Sequence, residues 1–475
     1  MSTIPAISIR RWHRVLLLVL VASALLLVPP GSPDAPIVYG PPRPVPGPGG
    51  CLRDQLHEPA TDHACPGAAA GLTGAQAVAV SPDGSSVYVA AADDVVALAR
   101  DPVGGALQPA LAQSALACIG GASSGCAGKD VALSGADALA VSPDGRFVYV
   151  GSSNTGTVSA FARGAYGVLA PLARGRGGSY SGCVAGEPLY GIPRAQCGAS
   201  LDALNGVAAL TISPGGRDLY VVSYGLRPGT DSVVTLQRDP GSGGVRPLPG
   251  TGGCVQSLPG SGCRAIPGLE GAAAITVTPD GRFVYVASEL SGAVTGFRRD
   301  RATGGLTPLN RRGGCVSSGE RAAGDVRCDL AVRQLAGARS VVVSPDGREL
   351  YVAAFDPGAV VALMRNPISG LLAASSPSCL QAARERRCPA ALPFLHGAAA
   401  LAIAPDGGAV YVISEGGNSL VQLLRNPADG ALTLVSESPA ALSPLSGPVA
   451  VALSPHGDSI YVASPFDDGV AALIG

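Results

Sequence analysis

The chain has 475 residues, of which 47% are hydrophobic and 14% charged, and it carries a formal net charge of -1. That length and apolar content are enough for a large buried core. The near-zero charge excludes the strongly basic face that DNA or RNA binding requires.

At the N-terminus, Arg10, Arg11 and Arg14 precede an apolar run, 15–28, which ends at Pro29-Pro30-Gly31. A basic stretch followed by an apolar run reads as an export signal. The run is 14 residues long, short of the ~20 that a spanning helix needs. Ala22-Ser23-Ala24 offers a small-residue cleavage site, with an uncleaved anchor as the alternative. The first cysteine is Cys51, so no lipid-attachment cysteine follows the run. Residues 1–36 are therefore expected to be a signal peptide or anchor with a Pro-rich linker, and 37–475 the folded domain. Arginine-dominated cations with abundant Ala, Gly and Pro suggest a GC-rich bacterial gene.

From Ser81 onward one short pattern returns: SPDGSSVYV at Ser81, SPDGRFVYV at Ser142, SPGGRDLYV at Ser213, TPDGRFVYV at Thr278, SPDGRELYV at Ser344, APDGGAVYV at Ala404 and SPHGDSIYV at Ser454. Each copy reads as an apolar strand, a tight turn and a second strand, and no helical period separates them. Asp-Gly supplies the positive φ that the hairpin demands, and Pro fixes φ at its entry. A second turn recurs as RDP, RDR or RNP at Arg100, Arg238, Arg299, Arg365 and Arg425. These repeats predict an all-β, seven-bladed β-propeller with four-stranded antiparallel blades. In the fourth unit the strands are expected at 274–277, 283–288, 293–298 and 306–309.

The last repeat runs out after its third strand, at 470–474, which would leave an open sheet edge. Arg43-Pro-Val-Pro-Gly-Pro-Gly-Gly-Cys51 matches Arg246-Pro-Leu-Pro-Gly-Thr-Gly-Gly-Cys254, which follows an outer strand. Residues 42–46 are therefore expected to close the seventh blade as an N-terminal strand.

The 12 cysteines fall into neighbours: Cys51 with Cys65, Cys118 with Cys126, Cys183 with Cys197, Cys254 with Cys263, Cys315 with Cys328, and Cys379 with Cys388. Each pair is expected in a Gly-rich insert between one blade's last strand and the next blade's first. In an exported chain this even, periodic count predicts local disulfides. The spacing is not CxxC, and of the five histidines only His57 and His63 fall in an insert, so no metal site and no cofactor are expected.

Antiparallel connectivity puts the cysteine inserts and the loops after the second strands on one face. Those loops carry Asp93, Asp94, Asp231, Glu289, Asp356, Glu415, Asp467 and Asp468, with Arg227 as their cation. Asp231, Asp356, Glu415 and Asp467 are the candidates for binding a cation or a basic partner, set against the ordinary preference of turns for Asp. The seven repeat tyrosines are packing residues, while Tyr166, Tyr180, Tyr190 and Tyr224 lie in or near inserts; the sole Trp is Trp12.

The repeats resemble the Tyr-Val-Thr-Asn (YVTN) propellers and the seven-bladed lactonase family that includes 6-phosphogluconolactonase-like proteins. Tyr285-Val-Ala-Ser-Glu-Leu-Ser-Gly-Ala-Val-Thr295 is similar to that family's Tyr-Val-x-Asn-Glu-Leu segment, which implies Glu289 as the active-site carboxylate, a general base toward a lactone. The family usually carries His or Arg just before the inner strands. This chain has Gly271-Ala272-Ala273 and Ala136-Asp137 there, so no cation is expected beside Glu289 to stabilise an oxyanion. His396 is the one histidine entering an inner strand, and it alone could serve as an axial ligand if the fold bound haem as nitrite-reductase propellers do; His456 replaces a turn Asp. The residues thus read as an exported, disulfide-braced binding or scaffold module of the envelope or extracellular space. Its unknown protein or small-molecule partner would sit on the disulfide face, and the alternative is a lactonase-like hydrolase using Glu289.

Overall fold

The computed structural model describes residues 40–475 apart from 55–64, 122–124, 175–179, 190–194, 226–229, 251, 260–261, 320–327, 384–387, 389–390, 436–439 and 442–445. The export-signal reading, with Trp12, His57, His63, Tyr190 and Arg227, lies outside the described residues. Among those described, no helix is long and apolar enough to cross a membrane.

Seven sheets, antiparallel in their main strands, follow one another along the chain. Their inner strands pack side by side in a closed circle, the last against the first, and so surround a central axis. The inner strands are Ala75–Val80, Ala136–Val141, Val207–Ile212, Ala272–Val277, Ala338–Val343, Ala398–Ile403 and Ala450–Leu453. The chain is the all-β seven-bladed propeller that the repeats predict.

Each repeat turn is wired by its own side chains. The Ser142 hydroxyl accepts the Phe147 amide at 3.0 Å, Asp144 accepts the Arg146 amide at 3.2 Å, and Gly145 sits at φ 67°. A residue with a Cβ would be strained there. The following strand carries the repeat tyrosine, fully buried in all seven blades. Successive blades bury apolar faces on each other, as where Phe283, Ala287 and Val294 of the fourth meet Val341, Leu350 and Val352 of the fifth.

Polar latches also join the blades. The arginine that ends a third strand donates from Nε to the preceding blade's tyrosine hydroxyl, at 2.6 to 3.1 Å, in the pairs Arg100–Tyr461, Arg163–Tyr88, Arg238–Tyr149, Arg299–Tyr220, Arg365–Tyr285 and Arg425–Tyr351. Its Nη1 donates to its own blade's turn glycine, as Arg238 does to Gly216, and its Nη2 meets an acid of the preceding blade, as Arg238 does Asp144. Where the turn Asp is replaced, by Gly215 or His456, an acid just beyond it, Asp218 or Asp458, supplies the charge. Both motifs, expected as turn signals, are parts of one inter-blade device. At the seventh blade the arginine register falls on Gly475, and Tyr411 instead receives the Gln422 side-chain amide at 3.1 Å.

The seventh blade is closed from the N-terminus. Arg43–Pro44 pairs with Leu473 and Ile474, and Cys51–Arg53 pairs with Gly469 to Ala471. Two features depart from the expected four-strand blade. The outer strand is split in every blade but the fifth, as into Leu107–Pro109 and Cys118–Gly120 of the first. A short parallel strand then follows in most blades, as Gly128–Lys129 does.

The six expected disulfides form: Cys51 with Cys65, Cys118 with Cys126, Cys183 with Cys197, Cys254 with Cys263, Cys315 with Cys328, and Cys379 with Cys388. Their placement differs from the expected inserts beyond the last strand. Cys51, Cys118, Cys183, Cys254, Cys315 and Cys379 lie inside the outer strand itself. Only their partners follow it: Cys65, Cys126, Cys197, Cys263 and Cys328 stand just before the short parallel strands, and Cys388 just before the Gln381–Ala391 bridge. Each bond therefore fastens the parallel strand or bridge to the blade edge that it pairs with. The bridges fit an oxidising, extracytoplasmic environment.

Candidate active site at the channel mouth

Two tiers of residues ring the disulfide end of the channel, and both come from backbone geometry. Each of the first six inner strands opens with a β-bulge after a left-handed glycine, such as Gly337 at φ 66°. The bulge re-aims one residue per blade: Gln76, Asp137, Ala208, Ala273, Arg339 and Ala399. Those glycine carbonyls accept the amide of the first residue after each second strand: Ala92, Ser153, Tyr224, Glu289, Phe355 and Glu415. Glu289 and Glu415 thus occupy equivalent positions, two blades apart.

Arg339 corrects the expectation that no cation stands near Glu289. Its Nη1 lies 2.8 Å from Glu415 Oε2, and its guanidinium stacks over Phe355 at 4.9 Å. The Arg339 charge reaches Glu289, as do those of Asp356 and Glu415. Burial pushes the Glu289 carboxyl above the usual range, Arg339 pulls it back, and the two acids add to the rise. Glu289 is half-buried, and among the described residues its side chain has no hydrogen-bond partner. Tyr224, partly exposed beside it, is raised by burial first and then by Glu289 and Asp231. Aligning the glycines that precede each inner strand would have revealed Arg339 in Gly337-Ala338-Arg339.

The other acids of the rim divide by use. Asp231 accepts the amides of Gly225 at 3.1 Å and Gly271 at 3.0 Å, fixing its loop to the next blade. Asp93 and Asp468 do the same for Gly135 and Gly74. Asp467 accepts the Ser446 hydroxyl at 2.7 Å and its amide. Asp356 and Glu415 alone join the Glu289–Arg339 group, so the rim is not a uniform acidic ring. Among the described residues no cluster of His, Cys, Asp and Glu is arranged to hold a metal. His396 is exposed, and its carbonyl accepts the Gly417 amide at 2.8 Å.

On the far side, at the second blade, burial raises the Asp137 carboxyl to about 6, against the Ser153 hydroxyl, with Asp93 adding to the rise. A folded value above the unfolded one means that stability is fully present below the unfolded carboxyl value near pH 4 and is lost as pH rises through 6. Asp137→Asn should therefore raise the melting temperature at pH 7.5, by about 1–3 kcal/mol of stability, and leave it unchanged at pH 4. Equal melting of the two proteins at pH 7.5 would contradict this.

Fold and mouth together define a propeller with a small, half-buried set of ionisable groups at one end of its channel. The family model described as "Lactonase, 7-bladed beta-propeller" matches residues 322–473, which bears out the family resemblance of the repeats. That match spans Arg339, Phe355, Asp356 and Glu415. Among solved structures, a candidate 6-phosphogluconolactonase from Bacteroides uniformis is 19% identical over 77% of this chain and 86% of that one, with a TM-score of 0.50. Another, from Bacteroides fragilis, is 19% identical over 79% and 85%, with a TM-score of 0.51. A periplasmic gluconolactonase from Pseudomonas aeruginosa is 20% identical over 77% and 86%, with a TM-score of 0.48. At these identities the likeness is one of fold. No curated protein matches the chain.

Proposed function

We propose that the channel mouth is a lactone-hydrolysing site of an extracytoplasmic enzyme, with Glu289 as general base and Arg339 as the cation facing the developing oxyanion. The observation that carries this reading is a half-buried carboxyl with a raised pKa and, among the described residues, no hydrogen-bond partner, within the field of an arginine from the next blade. Glu289 would take a proton from water as the water oxygen attacks the lactone carbonyl. Charge gathers on the carbonyl oxygen, where Arg339, oriented by Glu415 and Phe355, stabilises it. The ring C–O bond then breaks, and the alkoxide recovers the proton from Glu289 to give the hydroxy acid.

The test is hydrolysis of a panel of lactones, 6-phosphogluconolactone included, by the oxidised protein. Glu289→Gln should lower kcat about 10²–10⁴-fold, and Arg339→Gln about 10²–10³-fold. Because the Glu289 pKa is raised, kcat/KM should fall on the acid side from a higher pH than an ordinary glutamate would give. No turnover by the native chain, or turnover untouched by Glu289→Gln, would reject the reading.

One observation favours a second reading, a binding module of the envelope: Glu415 already neutralises much of the Arg339 charge. Saturable binding of a lactone or its hydroxy acid without turnover, lost in Arg339→Gln, would support it.

A further inference from the structure

Most arginines whose partners have been described are committed to latches. On the outer rim of the fourth blade, toward the face opposite the disulfides, several are not. A cleft of about 250 Å³ there is lined by Arg298, Thr307, Asn310, Arg311 and Ser369, with Pro308, Leu309 and Leu371. It lies where the fourth blade's outer strand, Leu306–Pro308, meets the hairpin turn of the fifth.

The lining has a single electrostatic character. Arg298 and Arg311 are exposed, and among the described residues neither guanidinium has an acidic partner. Arg298 rests its guanidinium 5.9 Å from the Phe283 ring, which spreads its stem along an apolar surface and keeps the charge at the opening. Arg282 stacks on the same ring at 5.4 Å and donates to the carbonyls of Pro367 and Ile368, beside Ser369. The Ser369 hydroxyl accepts the Leu371 amide at 3.3 Å, which leaves its proton to donate. Thr307 and Asn310 add a hydroxyl and an amide. Among the described residues no carboxylate lines the cleft. Among the described acids of this region, Asp280 faces Arg365, Asp300 accepts the amides of Ala302 and Thr303, and Asp329 lines the adjoining cavity.

Two planar guanidinium forks with hydroxyl and amide donors, and no competing acid among the described lining residues, are the donor set for an oxyanion. The volume is below the roughly 300–1,000 Å³ of a site that encloses a drug-sized ligand, so it suits a charged group projecting from a larger molecule. We infer that this cleft is an anion-binding site that takes a phosphate or sulfate group, separate from the channel mouth.

Calorimetry at constant ionic strength, with inorganic phosphate, sulfate and glucose 6-phosphate against glucose, tests this. The native chain should bind at least one oxyanion saturably and glucose not at all. Arg298→Gln/Arg311→Gln should weaken that binding at least about tenfold, while Arg264→Gln, an exposed arginine of the third blade, should leave it unchanged. Stronger binding of glucose 6-phosphate than of inorganic phosphate would identify a phosphomonoester, and stronger binding of sulfate a sulfate ester. Binding that persists in Glu289→Gln would keep the cleft apart from the proposed catalytic site. Absence of saturable binding of every oxyanion, or equal binding by the double variant, would overturn the inference.

Discussion

Deleting residues 40–54, with Cys65→Ser to avoid a lone thiol, is expected to abolish the stable monomeric propeller. The segment supplies the seventh blade's outer strand in two pieces, Arg43–Pro44 and Cys51–Arg53. It adds further bonds from Val45 to Ala472 and from Asp54 to Asp468, both at 3.0 Å. Without it the edge of Gly469–Ile474 is exposed as unpaired amides and carbonyls, a template for pairing between chains. Val45 and Leu52, both buried, leave the core shared with Val470 and the first blade's Leu98. Leu52→Ala alone should cost about 2–4 kcal/mol, and the deletion more. Size-exclusion chromatography and thermal melts would show association or early unfolding; a monomer that melts with the intact chain would refute strand closure.

Removing a latch arginine should cost an amount set by its acid partner. Arg425 faces Glu349, whose side chain is 1% exposed, and Arg299 faces Asp218 at 5%. Arg425→Met or Arg299→Met would strand a buried carboxylate, at about 3–5 kcal/mol. Arg100, Arg163, Arg238 and Arg365 face acids that are 34–51% exposed. Those acids return to water, so the loss there should be about half as large. Adding Glu349→Gln to Arg425→Met should restore much of the stability, since the stranded charge is removed with its partner. Equal melting of all six single variants would show that the counter-charge does not govern the latch.

The same acids give the ring a pH dependence. Burial alone would raise Asp144, Asp280 and Asp346, but hydrogen bonds from Ser142, Thr278 and Ser344 and from the latch arginines outweigh it and hold them below the usual range. Their contribution is present above the unfolded carboxyl value near pH 4 and is lost as pH falls below it. Asp137 acts in the opposite sense, so the propeller's stability is squeezed from both sides.

The repeats made the ring legible because turn chemistry is local. Pro, Asp and Gly fix a hairpin within five residues, and seven copies in one register leave few folds available. The cysteine pairing was legible for the same reason: each pair spans a single short segment. That Cys118 and its counterparts would sit within a strand was not, because the split of the outer strand follows no repeated motif. Glu289 could be named from its own segment, but its surroundings could not. Arg339 lies 50 residues further on, and the acids around it belong to three different loops.

Blade count, disulfide pairing and the end of the chain that completes the seventh sheet were all written in the order of residues. They depend on short-range periodicity and on an edge strand needing a partner. What the repeated Arg and Tyr do, which rim acids are spent on loop amides, and that the Arg339 charge reaches Glu289 emerged only in three dimensions. Each of these is a relation between blades, made by a bulge or a loop that re-aims a side chain across the channel or the blade interface. Spacing along the chain carries no record of that direction.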